Sequence, residues 1–153
     1  MNNKLKIIIS ILLLLVIGYT IGTSTRKISE EEIKTIEEKV TYDRASTDLI
    51  VVNLPFPGAV TGKEFSVIGK ARGVWFFEAS FPIDVLDKDG KILVQTFATA
   101  QGEWMTNDFV PFKGEVKVPE SYIGPATLIL RKDNASGLPE HDASVSFPFV
   151  IEY

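Results

Sequence analysis

The chain of 153 residues contains no cysteine and only one histidine, His141. Without a thiol it can form neither a disulfide nor a lipid-modified cysteine, and no cysteine is available as a zinc ligand. A catalytic triad or a zinc site would depend on His141 alone, and no pair of carboxylates is set apart in an apolar pattern. We therefore expect no catalytic residue, no metal and no cofactor.

Positive charge is scarce in the part of the chain that follows residue 47. Residues 48–153 carry 9 Lys and Arg against 14 Asp and Glu, a net charge of −5, and their basic residues form no cluster. A surface for nucleic acid or for anionic lipid headgroups needs the opposite sign. The composition therefore argues against both of these partners.

The longest hydrophobic run lies near the N-terminus. Lys4 and Lys6 precede an uncharged stretch of 19 residues, residues 7–25. As a helix this stretch would span roughly 28 Å, close to the thickness of a bilayer core. A cleaved secretory signal also fits, but no Ala-x-Ala cleavage site is present. We favour a transmembrane anchor over residues 1–25, with the rest of the chain on the extracytoplasmic side of the cell membrane.

A polar segment, residues 26–47, follows the predicted anchor. Ser29 and Glu32 have the spacing of a capping box, and the apolar residues after them recur at helical spacing. These features predict one short stalk helix, and a weak self-association stripe is the alternative. We expect the stalk to separate the anchor from a folded domain over residues 48–153.

From residue 48 the hydrophobic period changes from helical to alternating. Seven alternating segments are separated by turn signals; they are residues 48–54, 65–71, 75–85, 92–99, 110–118, 126–130 and 145–153. Pro82 and Pro148 lie inside such segments, which indicates strand edges or bulges. The pattern predicts an all-β fold, a seven-stranded immunoglobulin-like β-sandwich behind one N-terminal transmembrane helix.

An exported domain without disulfides depends on its hydrophobic core for stability. Residues 48–153 contain all ten Phe and both Trp of the chain. We expect Phe77, Phe112 and Phe147 to lie in this core, because each belongs to the apolar face of a predicted strand.

The candidate binding residues lie on three loops. Each hairpin connection reverses the chain, so the loops at residues 73–74, 101–109 and 133–142 should meet at the end where the first strand begins. Long loops on a rigid scaffold are frequent binding sites. The candidates at this end are Arg72, Glu103, Trp104, Met105, Asn107, Asn134 and His141. The alternative to binding for Trp104 is that it simply covers the open end of the core. The alternative for Arg72 is an ion pair with an acidic residue of a neighbouring loop.

Five different short stretches follow one another in a characteristic order between residues 49 and 152. They are residues 54–58 (LPFPG), 69–73 (GKARG), 77–81 (FEASF), 85–90 (VLDKDG) and 146–150 (SFPFV). This series resembles the immunoglobulin-like domain of bacterial spore germination proteins, although residues 74–76 widen the usual spacing. The resemblance implies an adhesion or interaction module without catalytic residues.

These observations predict a membrane-anchored binding module of the bacterial cell envelope that recognises a protein or a wall polymer without catalysis. The alternative is a structural subunit that packs through its sandwich in an envelope or spore-germination assembly.

Overall fold

The computed structural model describes residues 40–152, which form an all-β domain. Its nine strands are β1 Thr41–Asp43, β2 Ile50–Leu54, β3 Val60–Thr61, β4 Glu64–Arg72, β5 Ser80–Asp87, β6 Ile92–Ala100, β7 Phe109–Lys117, β8 Gly124–Arg131 and β9 Ser144–Ile151. Two short 3₁₀ helices, Gly73–Trp75 and Pro139–His141, precede β5 and β9. The predicted anchor and stalk helix lie outside the described residues, among which no helix is long and apolar enough to cross a membrane.

The strands form a single sheet that curls over on itself. Hydrogen bonds join them in the order β1-β9-β8-β5-β6-β7-β4-β2, and β3 pairs with β9. The β3–β9 pair is parallel and the others are antiparallel. Phe65 of β4 and Phe149 of β9 are far apart in this order, yet their ring centroids are 5.4 Å apart. The two halves of the sheet therefore pack face to face, as in an immunoglobulin-like domain.

The core lies between these two halves. In β7 every second residue from Val110 to Val116 is buried, and the lysine and glutamate residues between them face solvent. Phe112 contacts Phe81 of β5 edge-on, with ring centroids 4.9 Å apart. Phe112 and Phe147 are buried, as the alternating pattern predicted.

The prediction for the third strand is wrong in its first half. The chain forms the 3₁₀ helix Gly73–Trp75 and then a tight hairpin in which Phe77 and Ser80 exchange two backbone hydrogen bonds of 3.0 Å. Glu78 and Ala79 at the tip have φ of 48° and 62°, a conformation that favours Gly or Asn. β5 therefore starts only at Ser80. Phe77 is 44% exposed, so its predicted place in the core is also wrong.

The sequence pattern predicts that the domain starts at residue 48, but the sheet already includes residues before that position. β1 pairs with Ser144–Ser146 of β9, and the ring of Tyr42 packs against the core. Partial burial raises the pKa of the Tyr42 phenol above its ordinary value. Residues 41–43 thus belong to the sheet and not to the stalk. A strand of three residues with one apolar side chain is too short to show an alternating pattern.

Pro82 and Pro148 occupy positions where their strands have a ladder partner on one side only, within residues 40–152. Pro82 pairs with β6, whereas β8 joins β5 from Ile83 onward. Pro148 pairs with β8 and lies between the parts of β9 that bond to β1 and to β3. A missing N–H is tolerated at such edges, as predicted.

Three of the connections gather at one end of the sheet, which we call the loop end. It consists of residues 73–79, 101–108 and 132–143. β2 also starts there, because the N–H of Arg72 donates to the carbonyl oxygen of Leu49 at 2.8 Å. β1 runs toward the same end, since it is antiparallel to β9. The gathering of these loops agrees with the strand-reversal prediction.

The other three connections, residues 55–63, 88–91 and 118–123, meet at the opposite end around Tyr122. Its carbonyl oxygen accepts a hydrogen bond from the Lys63 ammonium. Its phenolic oxygen accepts one from the N–H of Lys88 at 3.3 Å. These hydrogen bonds connect the three short connections at this end.

Candidate functional site at the loop end

An open depression of about 340 Å³ lies between the first two loops of the loop end. It is lined by Gly73, Val74, Phe76, Trp104, Met105, Thr106 and Asn107. Met105 is 74% exposed and Val74 is 54% exposed. Exposed apolar side chains beside a concave surface are typical of interaction sites. Three of the predicted residues, Trp104, Met105 and Asn107, meet in this loop-end depression.

Gly73 allows the two loops to come this close. A Cβ at this position would lie 1.9 Å from the carbonyl oxygen of Thr106 and 2.3 Å from that of Trp104. Any side chain would collide with backbone atoms, which cannot rotate away. Gly73 was not among the predicted site residues, although a glycine directly after a strand was the available signal.

Arg72, at the end of β4, positions the loop formed by residues 101–108. Its Nε donates to the carbonyl oxygen of Asp48 at 3.0 Å, and its Nη1 donates to the carbonyl oxygen of Asn107 at 3.1 Å. The guanidinium also lies 4.2 Å from the ring centroid of Phe109. The partners are backbone oxygens and an aromatic ring, whereas the sequence analysis weighed a loop carboxylate. These contacts are those of a residue that positions the loop.

Residues 101–108 form a loop that is shaped by its own polar groups. The Glu103 carboxylate accepts a hydrogen bond from the N–H of Met105 at 2.9 Å. The Thr106 hydroxyl accepts one from the N–H of Asp108 at 3.2 Å. Trp104 is half-buried against the core and also lines the loop-end depression. Both roles considered for this residue are therefore compatible with its position.

Residues 132–143 are organised around the side chain of Asn134. Its Nδ2 donates to the carbonyl oxygen of Leu138 and to an Asp142 carboxylate oxygen, both at 2.8 Å. Its Oδ1 accepts from the N–H and the hydroxyl of Ser136. Ser136 Oγ lies 3.0 Å from His141 Nδ1. Asn134 and His141 thus shape this loop and do not line the depression.

The contact between Ser136 and His141 does not amount to a catalytic triad. Both residues are exposed, and within residues 40–152 no carboxylate is hydrogen-bonded to the His141 ring to orient it. The same part of the chain contains no group of three His, Asp or Glu side chains placed to hold a metal ion.

Asp133 connects the third loop to the first. Its N–H donates to the carbonyl oxygen of Trp75 at 3.0 Å. Burial raises the pKa of the Asp133 carboxyl above its ordinary value, and the nearby charge of Glu78 raises it further. No sequence pattern indicated this pair of carboxylates, because only the hairpin after Trp75 brings Glu78 toward Asp133.

A sheet folded into two facing halves, with long loops gathered at one end, is typical of β-sandwich domains, among them the immunoglobulin-like ones. Residues 49–137, more than half of the chain, match the family model described as the immunoglobulin-like domain of bacterial spore germination. The chain belongs to this family. The match ends before β9, so it does not include the resemblance at residues 146–150. No curated protein and no solved structure matches the chain.

Proposed function

We propose that this protein is a non-catalytic binding module that recognises a protein or a wall polymer of the bacterial cell envelope through its loop end. The observation that carries the proposal is the loop-end depression with exposed Met105 and Val74 beside it. Arg72 and Gly73 hold the depression in shape, and a preorganised surface loses less entropy when a partner binds.

We also propose that residues 1–25 anchor the protein in the cell membrane, with the domain on the extracytoplasmic side. The support is the uncharged stretch at residues 7–25 preceded by Lys4 and Lys6. In cell fractionation, the full-length protein should appear with the membranes and retain Met1 or Asn2 at its N-terminus. A soluble product that begins near Thr23 would contradict the anchor and indicate a secreted protein.

Trp104→Ala should weaken partner binding at least tenfold and leave the fold intact, because a half-buried aromatic side chain is a frequent binding hot spot. Shortening of residues 133–142 should have a similar effect on binding. The measurement is binding of the full-length protein to isolated cell walls and to solubilised envelope proteins, with folding checked by circular dichroism. Ile92→Ala, an exposed apolar position outside the loop end, is the matched control.

The second candidate function is that of a structural subunit. The exposed Leu54 of β2 is paired with Ile68 of β4, and two neighbouring exposed apolar side chains on a sheet face are suited to packing against another subunit. β2 is also the last strand in the hydrogen-bonding order of the described sheet. If Leu54→Ser abolishes association while Trp104→Ala does not, the protein assembles through this sheet face. That outcome would replace the loop-end proposal.

A further inference from the structure

The net charge of the domain is concentrated at the loop end. The three loops that form it carry six carboxylates and one lysine, a net charge of −5, which equals the net charge of residues 48–153. The carboxylates belong to Glu78, Glu103, Asp108, Asp133, Glu140 and Asp142. The connections at the opposite end carry three lysines and two carboxylates, a net charge of +1. A strongly one-sided field of this kind steers oppositely charged partners to one surface.

The loop-end carboxylates have no ion-pair partners among residues 40–152. Two carboxylates on the strands do have them: Glu64 pairs with Lys117 at 2.5 Å, and Glu115 pairs with Lys113 at 2.8 Å. The sole lysine of the loop end, Lys132, instead donates to the carbonyl oxygen of His141 at 3.3 Å. Arg44 and Arg131 lie beside Lys132 and Asp142, so the negative charge that is available to a partner is that of the carboxylates near the loop-end depression, Glu78, Glu103 and Asp133.

Three of these carboxylates lie next to residues that line the loop-end depression. Glu103 accepts a hydrogen bond from the N–H of Met105, which lines the depression. The N–H of Asp133 donates to the carbonyl oxygen of Trp75, the residue before the lining residue Phe76, and Glu78 is close enough to affect the Asp133 carboxyl. The raised pKa of the Asp133 carboxyl reflects burial and the repulsion from Glu78, and a cation placed beside them would relieve that repulsion.

The chemistry of the depression favours a polypeptide over a metal ion or a sugar polymer. A calcium ion needs six or more oxygen ligands in one cage, and the described residues contain no such group of side chains. Besides Asn107, the exposed side chains that line the depression are the apolar ones of Val74 and Met105, and the thioether of methionine adapts to apolar side chains of varied shape.

We propose that the loop end binds a cationic polypeptide segment in which lysine or arginine residues flank one aromatic or aliphatic side chain. The apolar side chain occupies the loop-end depression between Val74 and Met105. The flanking cations pair with Glu103 on one side and with Glu78 and Asp133 on the other. This inference rests on the proposed function and specifies the class of partner.

The test uses a fluorescein-labelled peptide, Gly-Lys-Arg-Trp-Lys-Arg-Gly, and the full-length protein in a non-ionic detergent. Fluorescence anisotropy should show binding that weakens at least tenfold when glutamate replaces the four basic residues, and similarly when serine replaces tryptophan. The affinity should also fall steeply between 50 and 300 mM NaCl, on the order of tenfold, because exposed ion pairs are screened.

Protein variants then locate the binding surface. The double variant Glu103→Gln and Asp133→Asn should lose at least tenfold in affinity for the peptide. The matched double variant at the opposite end, Asp89→Asn and Glu120→Gln, removes the same charge and should bind as the unaltered protein does. Circular dichroism of both variants verifies that they are folded.

The outcomes separate this inference from the proposed function. If the two double variants bind the peptide alike while Trp104→Ala still reduces its binding, the loop end is a binding surface, but its carboxylates do not recognise cations and the cationic polypeptide inference is wrong. If binding depends neither on Trp104 nor on the carboxylates, both proposals are wrong. Absence of peptide binding, equal binding of the serine peptide, or stronger binding of a glucosamine oligomer each overturns the cationic polypeptide.

Discussion

Phe112→Ala is expected to destabilise the domain by about 3–5 kcal/mol, the range found when a buried phenylalanine is truncated. Phe112 is 1% exposed, and its ring meets Phe81 from the facing half of the sheet. Its para carbon would lie only 2.6 Å from a Cβ at Gly69, so the ring packs closely against this glycine. The loss is a large share of the stability of an ordinary domain, which is about 5–15 kcal/mol.

Phe77→Ala provides the matched control for this experiment, because it removes the same ring from a side chain that is 44% exposed. We expect a loss of less than about 1 kcal/mol for this variant. Thermal and denaturant unfolding followed by circular dichroism measure both effects. A Phe112→Ala protein that melts within a degree or two of the wild type would show that the core is assigned wrongly.

Gly73→Ala is expected to separate the two loops that form the loop-end depression. The new methyl group would collide with the carbonyl oxygens of Thr106 and Trp104, so the backbone of residues 101–108 must move. Strain of this kind costs about 1–3 kcal/mol. The displaced loop should also lose protection of its amides from hydrogen exchange, because the N–H of Thr106 is bonded within the loop at 2.8 Å.

Gly102→Ala is the matched control, since it adds the same methyl group in the same loop with no atom within 4 Å. Its effect on stability should stay within about 0.5 kcal/mol. Hydrogen exchange measured by mass spectrometry over residues 101–108 compares the two variants. Equal exchange in Gly73→Ala and Gly102→Ala would mean that Gly73 does not determine the position of the loop.

Long alternating segments made most of this fold predictable. In β7, the run from Val110 to Val116 shows which side of the strand is buried, and the structure confirms it. Turn residues between such segments then determine the order of strand reversals. That order was sufficient to predict that the loops at residues 101–109 and 133–142 lie at the same end of the sheet.

Features without a local signature were missed. The hairpin at Phe77–Ser80 has Glu78 and Ala79 at its tip, and neither residue type marks a turn with positive φ. β1 is too short to show a period, although tertiary pairing with β9 stabilises it. The hydrogen bonds of Arg72 go to backbone oxygens, which every residue possesses, so no sequence pattern identifies its partners.

The way in which Arg72 and Gly73 position residues 101–108 affects how the loop can evolve. Arg72 and Gly73 contact this loop through the carbonyl oxygens of Trp104, Thr106 and Asn107, and those oxygens stay in place whichever side chains the loop carries. Trp104 is constrained further by its packing against the core. The exposed positions beside it can therefore diverge without loss of the loop's shape. One scaffold could acquire new specificities by exchange of a few side chains, and the same positions are suitable for grafting a recognition sequence.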